Sequence, residues 1–281
     1  MKFKNAMSFK AKVKQIAEDK GITAQQVQQS YLIEVFLTKL SKSKYRNNFI
    51  VKGGYLIGNI LGLGMRATMD LDATIKGFEL TSASLVRIAK DIVEVDTEES
   101  FELIYDSIEE IREIGDYLGF RLKLTAKFEH IYEVVTIDVT TGDAITPEEV
   151  SLNFRQIFSD NEIELLSYPV ETILSEKIET ILHRGIAITR PRDFYDVYIL
   201  SKLKFDKIDI MALRRALINT KAKRQSVFEF SDYHLILTEI SESDFQRKLW
   251  TKYQNQYSYA KDTSFDEVIE ATKDLLDSIL T

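Results

Sequence analysis

Residues 52–72 read KGGYLIGNILGLGMRATMDLD, and this stretch decides what fold to expect. The apolar triplet Phe49–Val51 precedes it and predicts a short buried strand that runs directly into Gly53 and Gly54. Residues 55–63 have helical apolar content, so the two glycines stand where a strand gives way to a helix. Glycines there let backbone N–H groups approach a phosphate closely, at a helix end where the dipole favours negative charge.

Two carboxylates follow the glycines on a second predicted strand. In residues 70–75 the apolar side chains alternate with Asp70, Asp72 and Thr74, which places both acids on one face. Strand residues i and i+2 lie about 6.5–7 Å apart on the same side, so two carboxylates converge there on oxygen-loving Mg²⁺. The ordinary alternative is an exposed strand face with two solvated acids.

A third carboxylate, Asp138, lies on another predicted strand. Residues 121–128 and 132–139 alternate and are separated by a tight connection, which predicts a β-hairpin. Three carboxylates on one face would resemble a two-metal site for in-line displacement at phosphorus. Asp70 and Asp72 would then hold the metal on a triphosphate, and Asp138 would orient or deprotonate the attacking hydroxyl.

Further candidates flank the glycines or follow later in the chain. In the predicted helix 170–184, Lys177 borders the apolar stripe, which suits either a snorkelling lysine or a cation on a phosphate. Asp193 and Asp196 share a face of the next helix, and an unpaired acid at Asp196 would be costly, so a cation such as Lys177 is the expected partner. The remaining predicted phosphate contacts, each with an ordinary surface role as its alternative, are Lys52, Arg66, Thr68 and Arg184.

The fold class expected from these patterns is α+β. Residues 8–46 and 82–94 are predicted to be helical, residues 101–114 fit either a strand or a helix, and from about residue 165 the pattern is helical. We therefore expect a domain with a small mixed sheet at 1–160 and a helical domain at 161–281.

Composition excludes several classes of protein. There is no cysteine, so disulfides and cysteine-based zinc sites are ruled out, which fits the cytoplasm. No apolar run is long enough to span a membrane, and no apolar segment typical of a secretory signal follows Lys2 and Lys4. The net charge is −7, so nucleic-acid binding would need a local basic patch, for which residues 202–224 are a candidate beside the simpler reading of a solvated helical surface.

Taken together, four ordered motifs resemble the AbiEii/AbiGii toxin family of nucleotidyltransferases, a branch of the DNA-polymerase-β-like superfamily. The resemblance runs from about residue 10 to 200, and its motifs are Phe49–Gly54, Arg66–Asp72, Glu176–Glu179 and Arg192–Asp196. The superfamily usually has Gly-Ser where this chain has Gly53-Gly54, so backbone N–H groups would have to bind phosphate without a serine hydroxyl.

The resemblance implies a polymerase-β-like domain and a Mg²⁺-dependent toxin of a bacterial toxin–antitoxin or abortive-infection system. Such an enzyme transfers a nucleotide from an NTP, with a tRNA 3′ end as the acceptor. Its partner is a separately encoded antitoxin, which in this family is often a transcriptional regulator that need not bind the toxin. Two alternatives stay open: an enzyme of the same fold that transfers a nucleotide to protein, and a non-catalytic module that senses nucleotide.

Overall fold

The computed structural model describes residues 2–112 and 118–280, which form two compact units. The first contains residues up to 143 together with 150–167, and the second contains residues 144–149 together with 168 onward. The mixture of one sheet and many helices confirms the α+β class. The domain division at residue 160 stays a prediction that limited proteolysis would test.

Two capped helices open the first unit. Helix α1 (Ala6–Lys20) ends at Gly21, whose φ of +65° lies in the left-handed region that glycine adopts without strain. Helix α2 (Ala24–Lys42) begins at Thr23, and the reciprocal bonds between Thr23 and Gln26 form a capping box. The predicted helical lead-in is therefore confirmed as two helices.

The first unit contains a seven-stranded mixed sheet. Its strands are β1 (Phe49–Lys52), β2 (Leu71–Ile75), β3 (Glu102–Arg112), β4 (Leu118–Phe128), β5 (Ile131–Thr141), β6 (Val150–Arg155) and β7 (Glu162–Ser167), in the order β3-β4-β5-β2-β1-β7-β6. Strand β2 lies between an antiparallel neighbour, β1, and a parallel neighbour, β5. The helices after β1 and β2 are α3 (Gly53–Leu61) and α4 (Ser82–Val93).

Several sequence predictions are settled by this sheet. The β4–β5 hairpin is confirmed, and the stretch 101–114 is a strand as far as Arg112, while residues 113 and 114 lie outside the described residues. Strands β6 and β7 were missed: residues 162–167 alternate between buried and exposed, but the helical interpretation was extended back to about residue 165.

The core lies under one face of this sheet. Burial alternates along the middle of β4 and β5, with Leu122, Leu124, Val135 and Ile137 buried on the inner face. Helix α2 contacts β5 and β7, and α4 contacts β3. This alternation leaves the polar side chains of β4 and β5 on the opposite, outer face.

The second unit is helical, as predicted. Its helices are α5 (Val170–Arg184), α6 (Pro191–Lys204), α7 (Ile210–Arg224), α8 (Tyr233–Glu242), α9 (Asp244–Gln256) and α10 (Phe265–Leu280). Helix α5 packs against α6 and α7, and α6 also packs against α10. Among the described helices of both units, none is long and apolar enough to cross a membrane.

Candidate active site

A row of charged side chains crosses the outer face of the sheet. Asp72 of β2 pairs in register with Lys52 of β1 on one side and with Asp138 of β5 on the other. The row continues through Arg121 of β4 to Glu109 of β3. Directly paired residues share a face, so the sheet brings Asp72 and Asp138 side by side although they are far apart in sequence. We refer to these five residues as the charge row.

Asp70 lies beside this row. It directly precedes β2 and is exposed, whereas Asp72 is half-buried. Two adjacent carboxylates repel each other unless cations offset them, and in the charge row Lys52 and Arg121 flank the acid pair.

The two glycines pack directly on predicted site residues. Gly53 has a φ of +67°, and a Cβ atom there would overlap the Asp72 carboxylate. A Cβ at Gly54 would lie 2.9 Å from Nη2 of Arg66 and 3.1 Å from the Thr68 hydroxyl oxygen. Gly53 therefore has a steric reason to be glycine, whereas a side chain at Gly54 would require Arg66 to shift, and the turn gathers all five predicted residues into one place.

The turn also starts helix α3. Lys52 occupies the N-cap position and its side chain makes no capping bond. The first amides of a helix have no partner within the helix, and their dipoles favour an anion. A phosphate is the natural ligand of such amides beside a glycine turn.

Two of the predicted phosphate-binding cations are buried. Arg66 is 1% exposed, and its Nη1 donates to the Ala67 carbonyl at 2.8 Å. The Lys52 ammonium donates to the Thr140 hydroxyl and to the Asp143 carboxylate, both at 2.7 Å. Sequence analysis missed Asp143, because only the pairing of β1, β2 and β5 brings Lys52 to the end of β5.

Asp138 is held by an arginine. Nε and Nη2 of Arg121 donate to its two oxygens at 2.8 and 2.7 Å, a bidentate pair. These hydrogen bonds and the charge of Asp138 raise the pKa of the Arg121 guanidinium, and the nearby Asp70 adds to the effect. In this arrangement both oxygens of Asp138 already have a partner.

The carboxylates of the charge row and Asp70 could serve a divalent metal only together with its other ligands. Within residues 2–112 and 118–280, no group of three acidic or histidine side chains could hold a metal ion. Mg²⁺, however, is bound in many enzymes by one or two carboxylates together with substrate phosphates and water. Asp70 and Asp72 fit that requirement, while Asp138 as a third ligand stays a prediction that requires Arg121 to release it.

A second group of predicted residues lies in the helical unit. The Lys177 ammonium contacts Asp193 at 2.6 Å and Asp196 at 3.2 Å, and both acids are almost fully buried. Burial alone would lower the pKa of Lys177, but the two carboxylates outweigh it and raise that pKa. The ionic partner expected for Asp196 is therefore present, and Lys177 is a fixed positive charge.

The other cations of the helical unit differ in their contacts. Arg190, which is half exposed, joins the group through Asp193 at 3.0 Å. Arg184 is the last residue of α5 and is half-buried. In the basic run 202–224, Lys221 pairs with Glu229, and Arg224 pairs with both Glu176 and Glu179. Part of that run therefore serves the internal structure rather than a basic patch.

The chain is similar to known proteins in sequence family and in fold. The family described as nucleotidyl transferase AbiEii toxin, type IV TA system, matches residues 35–271. The fold resembles the crystal structure of JHP933 from Helicobacter pylori (TM-score 0.52, 13% identity), with 92% of this chain and 94% of that chain covered. A candidate nucleotidyltransferase from H. pylori is also similar (TM-score 0.49, 15% identity), over 92% of this chain and 97% of that one. None of the curated proteins matches the chain in sequence.

Proposed function

Because the chain belongs to the AbiEii nucleotidyl transferase toxin family, we propose that it is a Mg²⁺-dependent nucleotidyltransferase whose acceptor is the 3′ end of an RNA. It would act as the toxin of a toxin–antitoxin or abortive-infection system in the cytoplasm, with a separately encoded antitoxin. The observation that carries the proposal is the packing of Gly53 against the Asp72 carboxylate. That contact sets the start of helix α3 directly beside Asp72, which supports a triphosphate bound at the helix end with its Mg²⁺ on the carboxylate.

The donor NTP would bind at the glycine turn. Amides at the start of α3 would receive the triphosphate, and Thr68, whose hydroxyl borders Gly54, would donate a further hydrogen bond. Asp70 and Asp72 would hold Mg²⁺, which neutralises charge on the triphosphate. Arg66 and Lys52 are buried, so we assign them to shaping the turn and supplying positive potential as well as to phosphate contact.

The acceptor hydroxyl would be handled by Asp138. The oxygen of the acceptor hydroxyl attacks the α-phosphorus of the NTP. The bond from that phosphorus to the oxygen that bridges it to the β-phosphorus breaks, and pyrophosphate leaves. The proton of the hydroxyl passes to a carboxylate oxygen of Asp138, which must first be released by Arg121. The nucleotide is then joined to the RNA end through a new phosphodiester bond.

The charge group of the helical unit would also bind phosphate. Lys177 would place its fixed positive charge on the β- or γ-phosphate, and Asp193 and Asp196 would hold the ammonium in position. Arg184 would supply a further contact to the nucleotide.

Label transfer tests the proposal. Wild-type protein, incubated with each α-³²P-labelled NTP, Mg²⁺ and total RNA, should label RNA, and EDTA should abolish the labelling. The double variant Asp70→Asn/Asp72→Asn should lose at least about 100-fold in rate, since removing one stabilising group typically costs 10²–10³. Asp160→Asn, a change at an exposed acid outside the site, is the matched control and should transfer normally.

Different outcomes would overturn different parts of the proposal. Undiminished transfer by the double variant would show that the carboxylates are not catalytic. Label that survives RNase but not protease would mean a protein acceptor. Tight NTP binding with the donor left intact under every condition would indicate a nucleotide-sensing module.

A further inference from the structure

The outer face of β3, β4 and β5 is an open surface that leads to the charge row. Three further rows of paired residues follow the charge row along these strands. The first is Ser107, Lys123 and Thr136; the second is Ile104, Thr125 and Val134; and the third is Glu102, Lys127 and Tyr132. We refer to these three rows as the outer face.

Three large apolar or aromatic side chains are exposed on this face. Tyr132 is 60% exposed, Val134 is 49% exposed and Ile104 is 40% exposed. Ile104 and Val134 lie in the same row, separated only by Thr125, and Tyr132 lies in the adjacent row. A flat sheet surface with an exposed aromatic ring can stack against an unpaired base.

Positive charge follows the central strand of the face. Arg121, Lys123 and Lys127 all project outward from β4, since alternate residues share a side. The Lys127 ammonium lies 5.9 Å from the centre of the Tyr132 ring, a cation–π arrangement. Within the described parts of the chain, Lys127 makes no ion pair, whereas Lys123 contacts Glu109 at 2.6 Å.

Negative charge borders the same face on the outer strand. Glu102, Asp106 and Glu109 of β3 are exposed, and Glu102 pairs in register with Lys127. A polyanion on this surface would be repelled by β3 and attracted by β4, so it would lie along β4 and β5. The charge pattern therefore defines a track rather than a diffuse patch.

The track ends at the proposed catalytic residues. Six residues of β5 separate Tyr132 from Asp138, which is about 20 Å at the usual rise of a strand. Asp138 in turn pairs in register with Asp72. A strand of nucleic acid stacked on Tyr132 can therefore extend along the sheet until its terminal hydroxyl is at Asp138.

We propose that the outer face binds the single-stranded segment just upstream of the acceptor 3′ end, with a base stacked on Tyr132 and a phosphate on Lys127. This proposal rests on the proposed function, since it assumes an RNA acceptor. It adds a binding surface that is separate from the donor site, so each can be disabled without the other.

Binding of a 5′-fluorescein single-stranded RNA, followed by anisotropy without NTP or Mg²⁺, tests the surface alone. Tyr132→Ala should raise the Kd at least about fivefold, the lower limit for losing one base–aromatic stack, and Tyr132→Phe should restore binding. Phe245→Ala, at another half-exposed aromatic residue, is the matched control and should bind like the wild type.

Substitutions at two charged residues of the outer face should change the affinity for RNA in opposite directions. Lys127→Glu should weaken binding and reduce the slope of log K against log salt by about 0.7, the value for one phosphate contact on a single strand. Lys14→Glu, at an exposed lysine of α1, should change neither. Glu102→Gln should tighten binding, because it removes negative charge opposite Lys127.

The outcomes separate this proposal from the proposed function. If the wild type labels RNA but Tyr132→Ala and Lys127→Glu bind and label it normally, the outer face is not the acceptor surface, and the enzyme assignment stands. If the wild type does not bind the RNA at all, the proposal that the outer face binds RNA is also overturned. If labelling of a protein, not RNA, falls in these variants, the face docks a protein. Asp70→Asn/Asp72→Asn should bind RNA at least as tightly as the wild type while failing to transfer, and melting temperatures equal to the wild type establish that each variant is folded.

Discussion

A buried acid in the first unit predicts an unusual dependence of stability on pH. Glu34 of α2 is 4% exposed, and its Oε2 accepts a hydrogen bond from the Ile157 amide at 2.7 Å. Burial raises the pKa of Glu34 to about 8; the Ile157 bond opposes this rise, and the charge of Glu99 reinforces it. The folded protein therefore holds a proton on Glu34 at neutral pH, whereas the unfolded chain, with an ordinary pKa of 4.5, does not.

The direction and the size of this pH effect follow from the linkage between proton binding and unfolding. Between the two pKa values the folded state binds more protons than the unfolded state, so the free energy of unfolding falls as pH rises. For a shift from 4.5 to about 8, the loss between pH 5 and pH 9 is about 4 kcal/mol from this group alone.

Glu34→Gln isolates this contribution, since glutamine keeps an oxygen for the Ile157 amide but does not titrate. Urea unfolding of both proteins at pH 5, 7 and 9 should show the variant gaining about 4 kcal/mol on the wild type across that range. Parallel curves, with a constant difference between the two proteins at all three pH values, would refute the reasoning.

Two further predictions concern backbone and buried charge. Gly53→Ala should abolish label transfer, because its Cβ overlaps Asp72. Gly21→Ala, at a similar positive φ but with no atom within 4 Å, should cost about 1–2 kcal/mol of stability and leave transfer intact, so equal transfer in the two variants would contradict the steric argument. Asp196→Asn should lower the free energy of unfolding by about 3 kcal/mol, because Lys177 keeps only one of its two carboxylates. That deficit should be constant from pH 5 to pH 9, since a lysine with a raised pKa loses its charge only above its ordinary pKa, and a deficit that vanishes in this range would show that Lys177 is not the cause.

Local sequence pattern was enough for the elements around the donor turn. Alternation in residues 70–75 predicted the strand, and the apolar triplet before Gly53 predicted the strand-to-helix turn that the structure contains. The expected partnership of Lys177 with Asp196 followed from one physical rule, that a buried acid needs a cation.

The pattern within each strand could not predict the register, that is, which residues of neighbouring strands lie opposite one another. The pairing of Arg121 with Asp138 and of Lys52 with Asp143 depends on which strands are neighbours and in which alignment. Alternation within a strand fixes the face on which a cation lies, but a shift of two residues keeps every side chain on its face, so the pattern does not show which residue of the neighbouring strand lies opposite. Strand β7 was missed because its end overlaps the helical pattern that begins at about residue 165, and no strand was predicted at β6.

The position of β2 between β1 and β5 also has a consequence for when the proposed active site can form. The charge row needs β5, which pairs with β2 across a separation of 66 residues, so it forms through slow, long-range pairing rather than local folding. A chain still emerging from the ribosome has neither Asp138 nor Arg121 in place until β5 has been synthesised. The cell that makes this protein therefore meets the complete charge row only once most of the sheet has left the ribosome.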